Sequence, residues 1–116
     1  MTMKQTKKSV EKALVAKILR TVQSYEGFRF NRSQGDYTGK NARSLKEFSS
    51  ILKSVDIRSI NFHFKRGDFQ KWVQNIVGDI ELSNNIRKIP KDLHGEKLRT
   101  TLTRIINDRI TELKLA

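Results

Sequence analysis

A chain of 116 residues, 36% hydrophobic with nine aromatics, has the usual size of one domain and supports one modest core. It contains no cysteine, which excludes disulfides, thiolate metal sites and cysteine nucleophiles, and no apolar run approaches the ~18–20 residues that span a bilayer. Twenty-four Lys and Arg face twelve Asp and Glu, a net charge of +12, which favours polyanionic partners and says nothing of fold.

The charge is uneven. Residues 1–46 carry eleven Lys and Arg against three acids, whereas residues 47–116 carry thirteen against nine. No hydrophobic segment follows the basic start as in a signal peptide, so the expected location is cytoplasmic, without stable membrane insertion.

Residues 1–8 read as a flexible basic tail and residues 9–116 as a single helical domain. Ser9 is placed to cap a helix running to about Tyr25, with Val10, Leu14 and Ile18 at i+4 spacing and Val15, Leu19 and Val22 widening the stripe. Lys8, Lys12, Lys17 and Arg20 fall largely off that stripe. Gly27 ends the helix and Phe28-Arg29-Phe30 alternates as a strand. A hairpin is expected, Phe28–Asn31 against about Tyr37–Ala42, with its tip around Gly35-Asp36 and Gly39.

Ser44-Leu45-Lys46-Glu47 is a capping box, and Leu45, Phe48, Ile51, Leu52 and Val55 form one face of the helix it opens. Residues 56–66 fit two patterns: Ile60, Phe62 and Phe64 alternate as in a strand, while Ile57, Ile60 and Phe64 have helical spacing. Asp68 after Gly67, and Asp79 after Gly78, are each placed to cap a helix, the second ending before Pro90. From about Gly95, Leu98, Leu102, Ile105, Ile106, Ile110 and Leu113 describe a long amphipathic helix. The fold class is mainly α with a small β-hairpin (α+β), a compact single domain of four to six helices.

The pattern Ala42-x-Ser44-Leu45-x-Glu47-Phe48, then Phe62-His63, then Asp68-Phe69-x-x-Trp72-Val73 and Gly78-Asp79-x-x-Leu82 resembles a small uncharacterised prokaryotic domain family, mostly archaeal. The resemblance covers about residues 28–89 and leaves the basic first helix and the terminal helix outside it. It implies a compact helical unit with a hairpin and supplies no activity.

His63 lies between two aromatics, and a carboxylate such as Asp68 or Asp79 could accept from it, which makes an acid–base site conceivable. A partly buried histidine that orients a turn has the same signature. Trp72 shares a helical face with Phe69 and Ile76, which points to packing; a base-stacking role requires exposure. Gly35–Asn41 is one residue short of a phosphate loop and has Asn41 where the magnesium-binding hydroxyl belongs. His63 and His94 are the only histidines, and no cluster has metal-ligand spacing, so neither cofactor nor metal is expected.

The leading expectation is a non-catalytic binding module that contacts DNA or RNA phosphates through its basic N-terminal half. Lys7, Lys8, Lys12, Lys17, Arg20, Arg29, Arg32, Lys40 and Arg43 would carry the contacts, with Lys65 and Arg66 nearby. The alternative is a protein-interaction module, meeting an acidic partner or forming a homodimer through Ile105, Ile106 and Ile110. A small enzyme using His63 is the third reading.

Overall fold

In the computed structural model of the protein, the backbone is described for residues 2–115 and the side chains for residues 11–115. Six α-helices and a two-stranded antiparallel hairpin give the described chain the α+β architecture, mainly α, that its sequence implies. The tail expected over residues 1–8 lies outside the residues whose side chains are described.

The first helix, α1 (Thr2–Leu19), starts ahead of Ser9 and ends well before Tyr25. The apolar stripe continues to Val22, but Val22 is drawn out of the helix by Arg43. Its N–H donates to the Arg43 carbonyl (2.8 Å), and its carbonyl accepts from Arg43 Nε (2.9 Å). A single 3₁₀ turn, Ser24–Glu26, then leads into the hairpin. Gly27 is required there by space: a Cβ would lie 2.6 Å from the Asn41 side chain and 2.8 Å from the Ala42 carbonyl.

Strands β1 (Phe28–Ser33) and β2 (Asp36–Ala42) pair from Phe28↔Ala42 to Ser33↔Asp36, two residues beyond the expected β1. The turn is Gln34-Gly35, with Gly35 at φ +76°. Gly39 (φ +87°) lies within β2, where the register shifts between Phe30 and Asn31. The bulge is tied down by Thr38, whose hydroxyl donates to the Phe30 carbonyl (2.7 Å) and accepts from Lys40 N–H (3.1 Å).

Helix α2 (Leu45–Leu52) opens on the expected cap, with Glu47 N–H donating to Ser44 Oγ at 3.1 Å. The glutamate reaches one residue further back than a capping box requires, accepting from Arg43 N–H (2.7 Å). The ambiguous stretch is helical: α3 (Ile57–Arg66) begins at Asp56, which accepts from Arg58 N–H, and closes at Gly67 in the left-handed region (φ +74°). Arg58 also holds the Asp56 carboxyl down to about 2 through its side-chain and backbone hydrogen bonds. A strong cap at each end settles a pattern that periodicity leaves open.

Helix α4 (Asp68–Trp72) runs into a π-helical turn, Val73–Val77, closed by Gly78 at φ +88°. Asp68 does not cap it; its carboxylate turns towards His63 instead. Asp79 does cap α5 (Ile80–Arg87), accepting from Leu82 N–H at 3.2 Å. The same carboxylate, 2% exposed as a residue, takes both Arg109 Nε (2.7 Å) and Nη2 (3.0 Å) from α6 (Gly95–Leu115). Burial alone would lower the Arg109 pKa, but hydrogen bonds to Asp79 and Glu112 raise it, so the guanidinium keeps its charge.

Phe28, Phe30, Phe48, Phe69 and Trp72 form an aromatic centre between the hairpin and α2–α4, and Leu98, Leu102 and Ile106 of α6 close the same core. Trp72 is 7% exposed and donates Nε1–H to the Glu26 carbonyl at 2.8 Å, so it packs and offers no stacking surface. Ile106 is fully buried, and Ile105 and Ile110 pack against the core. The apolar stripe of the last helix therefore meets the protein's own interior. Among the described residues no helix is long and apolar enough to cross a membrane.

Candidate nucleic-acid interface

Basic residues are favoured in the last turn of a helix, where unpaired carbonyls carry partial negative charge. Helix α3 ends on Lys65 and Arg66, and α5 ends on Arg87. The sharp turn at Gly67 folds α4 back so that these two helix ends open onto one cleft of about 550 Å³. Lys65, Arg66, Lys71, Arg87 and Lys91 line it, over a floor that includes Phe64, Ile86 and Ile89. Among the described residues no carboxylate lines it. Arg87 is held in place by two neutral amide oxygens, Gln74 Oε1 (2.8 Å) and Asn84 Oδ1 (3.2 Å), which orient its charge without cancelling it.

A second cavity, of about 260 Å³, lies between the hairpin and α3, lined in part by Arg29, Asn31, Phe62, His63, Arg66 and the carboxylate of Asp68. Arg66 borders both cavities and so joins the hairpin side to the α3–α5 cleft. Arg66 is steered by Asp68 Oδ2 (3.0 Å from Nε) and Gln34 Oε1 (3.3 Å from Nη1). Asn31 lines the cavity, and its side-chain Oδ1, buried behind the surface, has no hydrogen-bond partner among the described residues.

His63 is buried among Phe28, Phe30, Phe62 and Phe69, and both its ring nitrogens are engaged. Nε2 accepts from Asn31 N–H (2.9 Å), which assigns the proton to Nδ1, where it is donated to Asp68 Oδ2 (2.8 Å). Neither nitrogen is left to exchange a proton with a substrate. The histidine ties the hairpin to the α3–α4 corner.

Burial pulls the His63 pKa below its ordinary 6.5, opposed by the Asp68 carboxylate and assisted slightly by Arg66. The unfolded chain therefore binds a proton near pH 6.5 that the folded chain refuses. Stability should fall as pH drops from about 6.5 through the lowered folded-state value. Thermal melts at about pH 7.5 and about pH 5.5 should show this drop, and His63→Gln should flatten it. Equal drops in the two proteins would assign the effect to other groups. Asp56, at about 2, titrates well below this window.

The basic residues expected to form the interface divide into three sets. Lys7 and Lys8 lie outside the described side chains. Arg20, Arg32 and Arg43 are committed within the fold. Arg20 donates to the Lys17, Ile76 and Val77 carbonyls, Arg32 pairs with Asp36, and Arg43 holds Val22. Lys12, Lys17, Arg29, Lys40, Lys65 and Arg66 are exposed, Arg66 while paired with Asp68. Of the expected set, Arg29, Lys65 and Arg66 border the two cavities; Lys12, Lys17 and Lys40 line neither.

Lys71, Arg87 and Lys91 are not legible in the sequence as site residues, because each stands in a different segment and only tertiary folding brings them together. Asp68 lines the smaller cavity and pairs with Arg66, and the other acids line neither cavity. Glu81, Asp108 and Glu112 gather with Arg104 and Arg109 along α5 and α6. Among the described residues every ion pair uses arginine or histidine, and no lysine is neutralised.

Residues 4–107 match a family of unknown function, DUF5752. The chain belongs to this family. DUF5752 takes in the first helix and most of α6, well beyond residues 28–89. No curated protein and no solved structure matches the chain.

Proposed function

We propose that this DUF5752 protein is a non-catalytic module that binds nucleic acid by its phosphate backbone. The observation that carries the reading is the α3–α5 cleft, where five cations converge and, among the described residues, a carboxylate answers only Arg66. Like charges held together repel one another, and an anionic partner relieves that repulsion. Lysines without ion pairs are hydrated point charges on flexible stems, suited to phosphates spaced irregularly along a strand. The N-terminal cations Lys12, Lys17 and Lys40 extend the footprint, and the cleft is its centre. The interaction-module alternative loses its main support, since the Ile105–Ile110 stripe is taken up by the core. A His63 enzyme has no free ring nitrogen to work with.

Fluorescence anisotropy with labelled DNA and RNA tests the proposal. Binding should be micromolar or tighter at about 50 mM salt and should weaken at least roughly tenfold by about 200 mM, as counterion release requires for several phosphate contacts. Absence of binding at the lower salt would overturn it.

A further inference from the structure

We infer that the interface takes unpaired bases, and therefore prefers single-stranded to duplex nucleic acid; this rests on the phosphate-binding reading above. Two arginines border the smaller cavity, and each already lies over an aromatic ring. Arg29 Cζ is 3.5 Å from the Tyr37 ring centroid, and Arg66 Cζ is 5.1 Å from that of Phe62. A guanidinium resting on a ring is planar and oriented, and its second face remains available. Arg29 is exposed, the Arg66 side chain is 51% exposed, and Asp68 and Gln34 further restrain the Arg66 plane. Flat cationic platforms of this kind stack on nucleobases irrespective of sequence, because every base has a π-face.

The cavity between the platforms has the right scale. Its 260 Å³ falls just below the ~300 Å³ at which pockets for drug-sized ligands begin, which suits a single base rather than a whole nucleotide. Asn31 supplies an edge contact: its unpartnered Oδ1 becomes an acceptor for a base N–H once the amide turns towards the cavity. Because Arg66 borders both cavities, a strand crossing it places a base on the hairpin side and its phosphate among Lys65, Lys71 and Lys91. In a duplex the bases stack on one another and hide their faces. A duplex can use the cationic cleft but not the arginine platforms.

The test compares three fluorescein-labelled probes of equal length at about 100 mM salt: a twelve-nucleotide thymidine strand, an abasic deoxyribose-phosphate strand, and a duplex. The base-bearing strand should bind roughly tenfold more tightly than either other probe, although the duplex has the higher charge density. Arg29→Lys keeps the charge and loses the planar fork, and Tyr37→Leu removes the ring beneath it. Each should bring the thymidine strand towards the abasic level and leave duplex binding unchanged, with circular dichroism confirming the fold. Equal affinity for all three probes would overturn this inference and leave phosphate binding standing. So would a loss in Arg29→Lys that is as large on the abasic strand. Binding to none of them would overturn both readings.

Discussion

Phe28→Ala should lower stability by about 4 kcal/mol, the range for emptying a phenylalanine site in a packed core. Phe28 is 5% exposed, and its ring centroid lies 4.8 Å from Phe30, 5.4 Å from Phe48, 4.8 Å from His63, 5.2 Å from Phe69 and 5.8 Å from Trp72. All five are edge-on or tilted arrangements, which add to simple burial. The void cannot collapse readily, because it is bounded by a hairpin pinned through His63 and by two helices pinned through caps. Domains of this size are stable by about 5–15 kcal/mol in total, so the loss is a large share. The urea midpoint should fall with unchanged m, and Tm should drop by roughly 15 °C. Tyr25→Ala, at a side chain 84% exposed, should stay within about 0.5 kcal/mol. A Phe28→Ala loss under about 1 kcal/mol would mean that the hairpin is not docked on the helices as described.

Local chemistry makes much of this fold legible. Ser44 and Glu47 mark the start of α2, Asp79 that of α5, and the Phe28-x-Phe30 alternation with Gly35 gives the hairpin. Each signal is complete within a few residues. The departures from expectation come where another side chain competes for the same group. Val22 carries the helical stripe forward, yet Arg43, twenty-one residues on, draws it into extended backbone. Asp68 has the sequence of a cap, but His63 and Arg66 compete for its carboxylate. Periodicity leaves residues 56–66 undecided because Phe62 and Phe64 are only half-buried in the helix, so a two-residue alternation of apolar types survives without a strand.

Charge shows the same division. The N-terminal excess is visible in the sequence, but three of the four arginines there, Arg20, Arg32 and Arg43, are committed to backbone carbonyls or a local carboxylate, and no count of charges reveals that. Convergence of Lys65, Lys71, Arg87 and Lys91 is equally invisible. It depends on the left-handed Gly67 and on the helix ends it brings together.

Whether that convergence matters, or the protein binds merely because it is basic, is separable by experiment. Lys65→Glu/Lys71→Glu/Lys91→Glu removes three cleft lysines, none of which pairs with a carboxylate among the described residues. Lys46→Glu/Lys53→Glu/Lys97→Glu changes net charge by the same amount at exposed positions that line neither basic cavity. Both triples lower the long-range attraction equally, and both should slow association. On the proposed reading, only the cleft triple takes away groups that touch phosphate. It should weaken single-strand binding by more than roughly a hundredfold and reduce the slope of log affinity against log salt by about 2, near 0.7 for each phosphate no longer neutralised. The distal triple should cost less than roughly tenfold and leave the slope within about 0.5 of the parent. Equal losses would mean a diffuse cationic surface on which no one site directs the strand. A loss confined to the cleft triple, with an unchanged melting temperature, would make the α3–α5 junction the place where this fold holds its partner.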